Sequence, residues 1–342
     1  MAPMTQRTLG NSGTIVSDFA LGTMTFGAES DEATSHAMLD AFAEAGGTLI
    51  DGADVYSRGR SEEIIGRWLA ANPATAERMV IATKGRFPMG DDANDLGTSR
   101  RHLRRALEAS LRRLGVEHID LYQLHAWDPI TPLDETLSFL DDAIRSGLIS
   151  YWGVSNFTGW QLTKAVHRAA ARGMDAPVTL QPQYSLLARE IEFEIVPAAL
   201  DAGIGLLPWG PLGGGWLTGK YRRDSSPTGA TRLGEDPNRG MEAYDRRSAD
   251  ERTWLVLDAL HAIAADHGVP PSRVALAWLQ TRPGMTSVIL GARTAEQLRD
   301  NLAAAELELS AEQLARLDAA SAPRTPDYPY GELGVEQRAR RL

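Results

Sequence analysis

Short apolar runs alternate with amphipathic stretches eight times along this 342-residue chain. Each apolar run has the length of a strand, and each amphipathic stretch repeats its apolar residues at helical spacing. Strand followed by helix, repeated in this way, predicts a parallel sheet covered by helices. The predicted strands are at about 18–22, 48–52, 79–84, 119–124, 150–154, 178–181, 204–209 and 286–290. The predicted helices lie near 31–46, 60–71, 99–115, 132–147, 158–172, 191–203, 252–281 and 294–304.

An open doubly wound sheet and a closed barrel both satisfy this alternation, and the polar or aromatic strand ends decide between them. In a barrel the carboxyl ends of all strands meet around one mouth, whereas an open sheet spreads them along a line. The unusual residues fall at those ends: Gly22, Thr23, Asp51, Lys84, His125, Ser155, Asn156, Gln181, Trp209 and Gly291. No strand-linked G-x-G-x-x-G sequence favours the open sheet. We therefore predict an α/β protein with a (β/α)8 TIM barrel in one domain over 1–342, with a core of about 7–322 and a tail of 323–342.

Two segments lie outside the eight units. Apolar residues flank Asn11, Ser12 and Gly13, which predicts an N-terminal β-hairpin that plugs the bottom of the barrel. Residues 210–250 form a long loop after strand seven, rich in Gly, Arg and Asp. Connections of this length are usually functional, so we expect this loop to take part in binding.

Composition narrows the function classes. The chain has no cysteine, which excludes disulfides and zinc-thiolate sites, argues against metal chemistry, and suggests a cytoplasmic setting. The formal net charge of -10 argues against a general nucleic-acid binder. No stretch approaches the length of a membrane span, so no membrane partner is expected. Oligomer formation stays possible.

Four residues at the predicted mouth form one chemical set. A phenol has a pKa of about 10 and donates protons poorly at neutral pH, but a nearby ammonium stabilises the phenolate. Tyr56 beside Lys84, itself oriented by Asp51, is therefore interpreted as a tuned general acid. His125 can hydrogen-bond the oxygen that receives the proton. Such a set suits hydride addition to a carbonyl, which develops an alkoxide.

Other interpretations of these residues stay open. Asp51 and Lys84 could form a structural ion pair, and His125 and Tyr56 could be core residues. Asp51 and Asp54 could be a glycosidase pair, although acids three residues apart on one loop are poorly placed for it. Lys84 could be the amine of a sugar-phosphate isomerase or aldolase, which would leave the aromatic residue after strand seven idle.

A second constellation suits a phosphate-bearing cofactor. The stretch LLPWGPLGGGWLTGKY puts Trp209 beside glycines whose backbone can approach phosphates closely. Lys220 and Arg232 add positive charge, and Arg293 precedes a helix predicted to begin at Thr294, whose N-terminus favours an anion. An ordinary surface loop and an ordinary capped helix are the alternatives.

Eight stretches follow one another over about residues 7–304: LGTMTFG (21–27), DGADVY (51–56), TK (83–84), LH (124–125), GVSNF (153–157), QPQYS (181–185), PWGPLGGGWLTGKY (208–221) and GARTAEQLRDN (291–301). In this order they resemble the aldo-keto reductases. The chain is most similar to the bacterial branch, which also resembles potassium-channel β subunits. The resemblance implies a barrel that binds NADPH and reduces an aldehyde or ketone.

The resemblance also implies residue roles. The catalytic residues would be Asp51, Tyr56, Lys84 and His125, with Tyr56 as the proton donor. Trp209 would stack on the nicotinamide, and Arg293 favours NADPH over NADH. The whole implied cofactor-binding set is Gly22, Thr23, Met24, Asp51, Ser155, Asn156, Gln181, Trp209, Gly210, Pro211, Leu212, Gly213, Gly214, Lys220, Arg232, Gly291, Arg293, Gln297, Asp300 and Asn301.

One position departs from the family pattern. Gly52 stands where the family commonly carries Thr, between the implied catalytic aspartate and tyrosine. Glycine frees the backbone and removes a side chain near the site. We therefore expect Asp51 and Tyr56 to be held less firmly relative to each other.

A carbonyl substrate requires an apolar pocket beside Tyr56. The candidate walls are Met24, Phe26, Phe87 and Trp127, and further candidates are Met89, Tyr328 and Tyr330. Core packing is the alternative for each of them. The rival function is a nicotinamide-binding regulatory subunit with weak or no turnover, as the channel-subunit resemblance suggests. His125 weighs against this rival, because those subunits differ at that position.

Overall fold

The computed structural model describes residues 4–223 and 242–331. The chain opens with an antiparallel hairpin of β1 (Gln6–Thr8) and β2 (Ile15–Ser17). Leu9 and Val16 of this hairpin have no exposed surface. The turn at Gly10 lies so close to Gly205 and the Val178 carbonyl that a Cβ at position 10 would be 1.9 Å from that oxygen. The predicted hairpin is confirmed, and it packs against the amino ends of two barrel strands.

Eight parallel strands form the barrel, in the order β10-β3-β4-β5-β6-β7-β8-β9. They are β3 (Phe19–Gly22), β4 (Leu49–Asp51), β5 (Val80–Gly85), β6 (Ile119–Leu124), β7 (Ile149–Ser155), β8 (Thr179–Gln181), β9 (Gly205–Leu206) and β10 (Val288–Leu290). The ring closes between the segments of β9 and β10 through backbone bonds that include Leu206 N–H to the Gly284 oxygen at 2.8 Å, Thr286 N–H to the Leu206 oxygen at 3.0 Å and Ile289 N–H to the Pro208 oxygen at 3.0 Å. The predicted (β/α)8 barrel is confirmed.

Helices cover the outside of this ring. They are α1 (Glu32–Glu44), α2 (Arg60–Ala71), α3 (Pro73–Ala76), α4 (Arg100–Leu114), α5 (Leu133–Arg145), α6 (Gly159–Ala171), α7 (Ile195–Asp201), α8 (Tyr244–Ser248), α9 (Glu251–His267), α10 (Pro271–Gln280), α11 (Ala295–Leu302) and α12 (Ala311–Ser321). No helix in the described part of the chain is long and apolar enough to cross a membrane.

The helix prediction also omits the short helices α3 and α8, and it is wrong in two places among the longer helices. The stretch 252–281 is not one helix, because α9 ends at Gly268 with a left-handed φ of 64° and α10 starts afresh at Pro271. The helix α12 is missing from the prediction, although Ser310 and Gln313 form a reciprocal capping box at its start. This box was the available signal.

Alternate residues of each strand face opposite sides of the sheet, so the strands lie between two apolar layers, one inside the ring and one outside it. Inside the ring, small and branched side chains pack with the hairpin; they are Leu9, Val16, Ala20, Leu49, Ala82, Leu121, Val178, Leu207 and Ile289. Outside it, larger residues such as Phe19, Trp152 and Trp278 pack under the helices. Successive strand residues point to opposite faces. The interior near the amino end is therefore mainly apolar, whereas Asp51, Lys84, Gln123 and Gln181 lie inside the ring toward its carboxyl end.

Candidate active site

An ion pair lies inside the mouth of the barrel, between the ends of β4 and β5. Lys84 Nζ donates to Asp51 Oδ2 at 2.6 Å, and the two residues are 0% and 2% exposed. The same ammonium donates to the Gly52 carbonyl oxygen at 2.8 Å. Because a buried charge is tolerated only when it is paired and hydrogen-bonded, these bonds hold Lys84 in one position.

Two amides brace the other carboxylate oxygen of Asp51. Gln181 Nε2 donates to Asp51 Oδ1 at 2.9 Å, and Gln123 Nε2 donates to the same oxygen at 3.2 Å. Both glutamines are buried. Sequence reasoning missed Gln123. Its signal was a polar residue inside the otherwise apolar strand IDLYQL.

Tyr56 is the third group that contacts the Lys84 ammonium, after Asp51 and the Gly52 carbonyl. Its hydroxyl lies 3.4 Å from Lys84 Nζ, longer than an ordinary hydrogen bond, and Lys84 lies 5.1 Å from the ring centroid. The turn after Tyr56 is strained, since Ser57 and Arg58 have φ values of 49° and 55°. Ser57 Oγ pins this turn by donating to the Phe26 carbonyl oxygen at 2.7 Å.

His125 lies beside the phenol. Its ring centroid is 5.9 Å from that of Tyr56, at an angle of 80°, and 4.4 Å from that of Phe87. Asn156 Nδ2 donates to its backbone oxygen at 3.0 Å. The His125 side chain is buried, and Nδ1 has no hydrogen-bond partner within the described ranges.

Burial and neighbouring charges fix the protonation states of the site. Burial raises the pKa of the Tyr56 phenol, and the Lys84 ammonium opposes this without reversing it. Burial would lower the pKa of Lys84, but Asp51 and Tyr56 outweigh it, so the pKa is raised and lysine stays charged. Burial and then the Lys84 and Arg86 charges lower the pKa of His125 to about 2. At neutral pH the site therefore holds a protonated phenol, an ammonium and a neutral imidazole.

Hydrogen-bonded polar side chains lie next to this cluster, at the ends of β7 and β8. Asn156 has a left-handed φ of 57°, and its Oδ1 accepts from Trp209 Nε1 at 3.0 Å while its Nδ2 donates to Ser155 Oγ at 3.0 Å. Ser155 Oγ donates in turn to the Gln181 backbone oxygen at 2.9 Å. Asn156 thus hydrogen-bonds both the half-buried Trp209 and the backbone oxygen of His125.

The loop after β9 turns back in a 3-10 segment, Gly213–Thr218. Gly213, Gly214 and Gly215 all have left-handed φ values, of 56°, 62° and 100°. A Cβ at Gly214 would lie 2.9 Å from Glu242 Cβ, and one at Gly215 would lie 2.8 Å from Lys220 Nζ. The left-handed φ values therefore favour glycine at all three positions, and at Gly214 the nearby Glu242 Cβ also leaves little space for a side chain.

The remaining predicted cofactor residues lie around strand ends and the start of α11. Thr294 caps that helix by accepting from Gln297 N–H at 3.2 Å, and Gln297 Oε1 accepts from Arg293 N–H at 3.0 Å. Asn301 is buried, whereas Asp300 binds Arg273 at 2.6 Å, so its charge is matched by a protein cation. Gly22, Thr23 and Gly291 lie at or just beyond the ends of β3 and β10, as predicted. Arg232 lies outside the described residues.

The predicted pocket walls differ in accessibility. Met24 is 44% exposed, and Phe87 and Trp127 are half-buried at the mouth. Phe26 has no exposed surface and packs in the core outside the ring. Met89 is half-buried. Among these side chains, only Phe87 is in ring contact with His125.

The tail contributes one anchored aromatic residue. Tyr330 stacks on Phe193 with ring centroids 5.3 Å apart and hydrogen-bonds Glu194. Tyr328 is 76% exposed. The described part of the tail therefore lies against the segment before α7.

A barrel whose mouth joins a phenol, an ammonium, a carboxylate and an imidazole to a glycine-rich loop has the layout of an oxidoreductase. The sequence matches the aldo/keto reductase family over residues 18–322. It is 39% identical to the uncharacterized oxidoreductase YrpG of Bacillus subtilis over 91% of this chain and 94% of that protein. It is 34% identical to a probable voltage-gated potassium channel subunit beta of Oryza sativa (89% and 92% covered) and 30% identical to versiconal hemiacetal acetate reductase of Aspergillus parasiticus (92% and 96%). The chain belongs to the aldo/keto reductase family, and these matches support an oxidoreductase.

Proposed function

We propose that this protein is an NADPH-dependent reductase that converts the carbonyl of an aldehyde or ketone to an alcohol, with Tyr56 as the proton donor. The observation that carries the proposal is the contact of one buried ammonium, Lys84, with both Asp51 and Tyr56. A sugar-phosphate aldolase would need this lysine as a free amine, whereas here it stays charged. A glycosidase would need Asp51 to face a second carboxylate, whereas here it faces an ammonium and two amides.

The residues beyond the catalytic cluster fit a nicotinamide nucleotide. Trp209 offers an aromatic face, and its hydrogen bond to Asn156 places a polar side chain beside that face. The glycine turns at 213–215 leave backbone where a Cβ would fill the space. Gly210, Pro211 and Leu212 precede these turns, and Lys220 follows them. When bound, the nicotinamide supplies the hydride.

The protein residues do the rest of the work. His125 is neutral, so an N–H of its ring can donate to a carbonyl oxygen without carrying a charge. Tyr56 keeps its proton until that oxygen gains negative charge, because burial raises the pKa of the phenol. Lys84 then stabilises the phenolate that remains, and Asp51 keeps Lys84 in place. Phe87 excludes water from one side of the imidazole.

A preference for NADPH rests on the region around α11. Arg293 precedes this helix and Gln297 lies in its first turn, where a phosphate is favoured, whereas Asn301 lies near its C-terminal end. Asp300 is engaged with Arg273, so it does not set a free carboxylate against the phosphate. A small carbonyl compound would enter past Met24, Phe87 and Trp127. A cytoplasmic site of action remains part of the proposal.

A regulatory subunit is the second candidate, and one observation favours it. The chain is 34% identical to a probable potassium channel subunit beta. In such a protein the nucleotide would bind while turnover stays weak. The intact set of Asp51, Tyr56, Lys84 and His125 supports the reductase instead.

The test is a spectrophotometric screen of the purified protein with NADPH, with NADH, and with varied aldehydes and ketones. We expect NADPH oxidation that depends on a carbonyl compound. The rate of this oxidation should be about 10²- to 10⁴-fold lower in Tyr56→Phe. NADPH should also quench the fluorescence of the eight tryptophans, less so in Trp209→Leu. Quenching without turnover would support the regulatory subunit, and full activity in Tyr56→Phe would mean that another group donates the proton.

A further inference from the structure

Asp54 is a second buried acid beside the catalytic cluster, and the chemistry above does not use it. Its side chain has no exposed surface. Its backbone N–H donates to the carbonyl oxygen of Lys84 at 3.0 Å, so the two residues are linked through the main chain. Neither carboxyl oxygen has a hydrogen-bond partner among residues 4–223 and 242–331. An ionised carboxylate in this position is costly.

The neighbouring Glu62 shows what a stabilised buried carboxylate looks like here. Glu62 has no exposed surface either, but Thr83 Oγ1 donates to its Oε1 at 2.6 Å. The Arg113 guanidinium lies 2.6 Å from its Oε2. Glu62 therefore has a partner for each oxygen, and Asp54 has none.

The cations that face Asp54 are both committed to other acids. Arg113 reaches from α4 and binds Glu62, while Lys84 reaches from β5 and binds Asp51. Each lowers the pKa of Asp54 only in part. Since one cation cannot fully neutralise two acids, ionisation of Asp54 would leave excess negative charge in this buried region.

The remaining neighbours of Asp54 are an acid and phenols. Burial and then the Glu62 charge raise the pKa of Asp54 to about 7. Tyr122 of β6 has a buried hydroxyl without a partner in the described part of the chain, and burial and then the Asp54 charge raise its pKa. After burial and the nearer charges, an Asp54 carboxylate also raises the pKa of Tyr56. The charge on Asp54 is thus felt at the proposed proton donor.

We propose that Asp54 is a positioning residue of the site: it is a neutral acid while Tyr56 donates its proton, and its ionisation weakens Tyr56 as an acid by offsetting the charge of Lys84. The inference rests on the reductase function proposed above. Lys84 favours the phenolate and the developing alkoxide through its positive charge. Carbonyl reduction should therefore slow as rising pH ionises Asp54.

The kinetic test compares Asp54→Asn, which is neutral at every pH, with Asp18→Asn. Asp18 is a matched control, because it is also buried and burial raises its pKa, but it lies at the amino end of the barrel, where its N–H binds the Thr5 oxygen. The ratio of the kcat of Asp54→Asn to the kcat of wild type should increase by roughly three- to tenfold between about pH 6 and about pH 8. The ratio for Asp18→Asn should stay level. A level ratio for Asp54→Asn, or an equal rise for Asp18→Asn, would overturn the inference.

Infrared difference spectra between the same two pH values test the titration without any turnover. Wild type and Asp18→Asn should both lose a carboxylic-acid C=O band that is missing from Asp54→Asn. If the band persists in Asp54→Asn, another acid titrates and the inference is wrong. If the band behaves as expected but no carbonyl is reduced, the titration of Asp54 stands and the reductase proposal is what fails. Asp54→Ser is the second neutral variant, with the same expectations, should Asn prevent folding.

Discussion

The two ends of the barrel are made from the same strands and differ in how their interiors are stabilised. At the amino end the hairpin closes over apolar side chains, and Leu9 and Val16 have no exposed surface. At the carboxyl end Asp51 and Lys84 are nearly as buried, but both are charged. Apolar packing is non-directional, whereas a buried charge depends on specific partners. Substitutions at the amino end should therefore reduce stability alone, and substitutions at the carboxyl end should alter chemistry as well.

Lys84→Met should have the largest effect. It leaves Asp51 buried with two amides but no cation, so the free energy of unfolding should fall by about 3–5 kcal/mol. The proposed acid also loses its ammonium, and kcat should fall by at least about 10²-fold. Urea denaturation and NADPH oxidation measure the two losses. Lys164→Met, at an exposed lysine whose ammonium lies 5.8 Å from the ring centroids of Trp127 and Trp160, should change stability by at most about 1 kcal/mol, and an equally small change in Lys84→Met would refute the role of the ion pair.

Leu9→Ala is the matching substitution at the other end. Removing this fully buried side chain should cost about 2–5 kcal/mol of unfolding free energy, through lost burial and the cavity that remains. The strand ends that hold Lys84 lie at the far side of the barrel, so kcat of the folded fraction should stay within about twofold of wild type. A large loss of kcat with intact folding would mean that the two ends are coupled.

The pH dependence of stability tests the neutral imidazole at the mouth. The folded-state pKa of His125, about 2, lies below the ordinary value of about 6.5. A lowered pKa adds stability above the unfolded-state value, and this stability is lost as pH falls toward the folded-state value. Between about pH 7 and about pH 5, wild type should lose roughly 1–2 kcal/mol more than His125→Gln. Parallel curves for the two proteins would show that the ring titrates normally.

Gly52→Thr should give the smallest effect. Its φ is not left-handed, and an added Cβ would lie 3.5 Å from the Ala82 oxygen and 3.6 Å from Thr23 Oγ1, both ordinary contacts. We expect a gain of about 0.4–1 kcal/mol in stability, because the unfolded chain loses freedom. Turnover should also rise, because the Gly52 carbonyl accepts from Lys84 and would be held more firmly.

Gly13→Thr is the control for this change. Gly13 has open space around its Cβ position, lies in the hairpin turn and does not have a left-handed φ. It should gain stability for the same reason with unchanged kcat. If both variants, or neither, raise kcat, the missing threonine at position 52 does not limit the site.

Sequence patterns predicted the barrel because strand alternation is local and repeated eight times. They also predicted Asp51, Lys84 and His125 at its mouth, because strand ends of parallel strands meet there. The pattern failed over 252–281, where helical periodicity continues across Gly268 although the backbone turns left-handed. Gly268, Pro270 and Pro271 are local signals for the end of one helix and the start of the next. The prediction gave more weight to the apolar residues that continue at helical spacing on both sides.

Distant pairings were beyond the reach of sequence patterns. The environment of Asp54 depends on Glu62 meeting Arg113, 51 residues further along the chain. The bracing of Asp51 by Gln123 depends on two strands that are not neighbours in the sheet. Burial is the largest cause of the shift in the Tyr56 pKa, ahead of the Lys84 charge, and it depends on the closed barrel, which no local pattern shows.

The most direct measurement of the central claim follows the hydride and the proton together. NADPH deuterated at both C4 positions of the nicotinamide is incubated with the best carbonyl substrate, and the alcohol is analysed by mass spectrometry for wild type and Tyr56→Phe. Wild type should place deuterium on the former carbonyl carbon, and Tyr56→Phe should do so at least about 10²-fold more slowly. An alcohol without deuterium, or equal rates for the two proteins, would contradict the account.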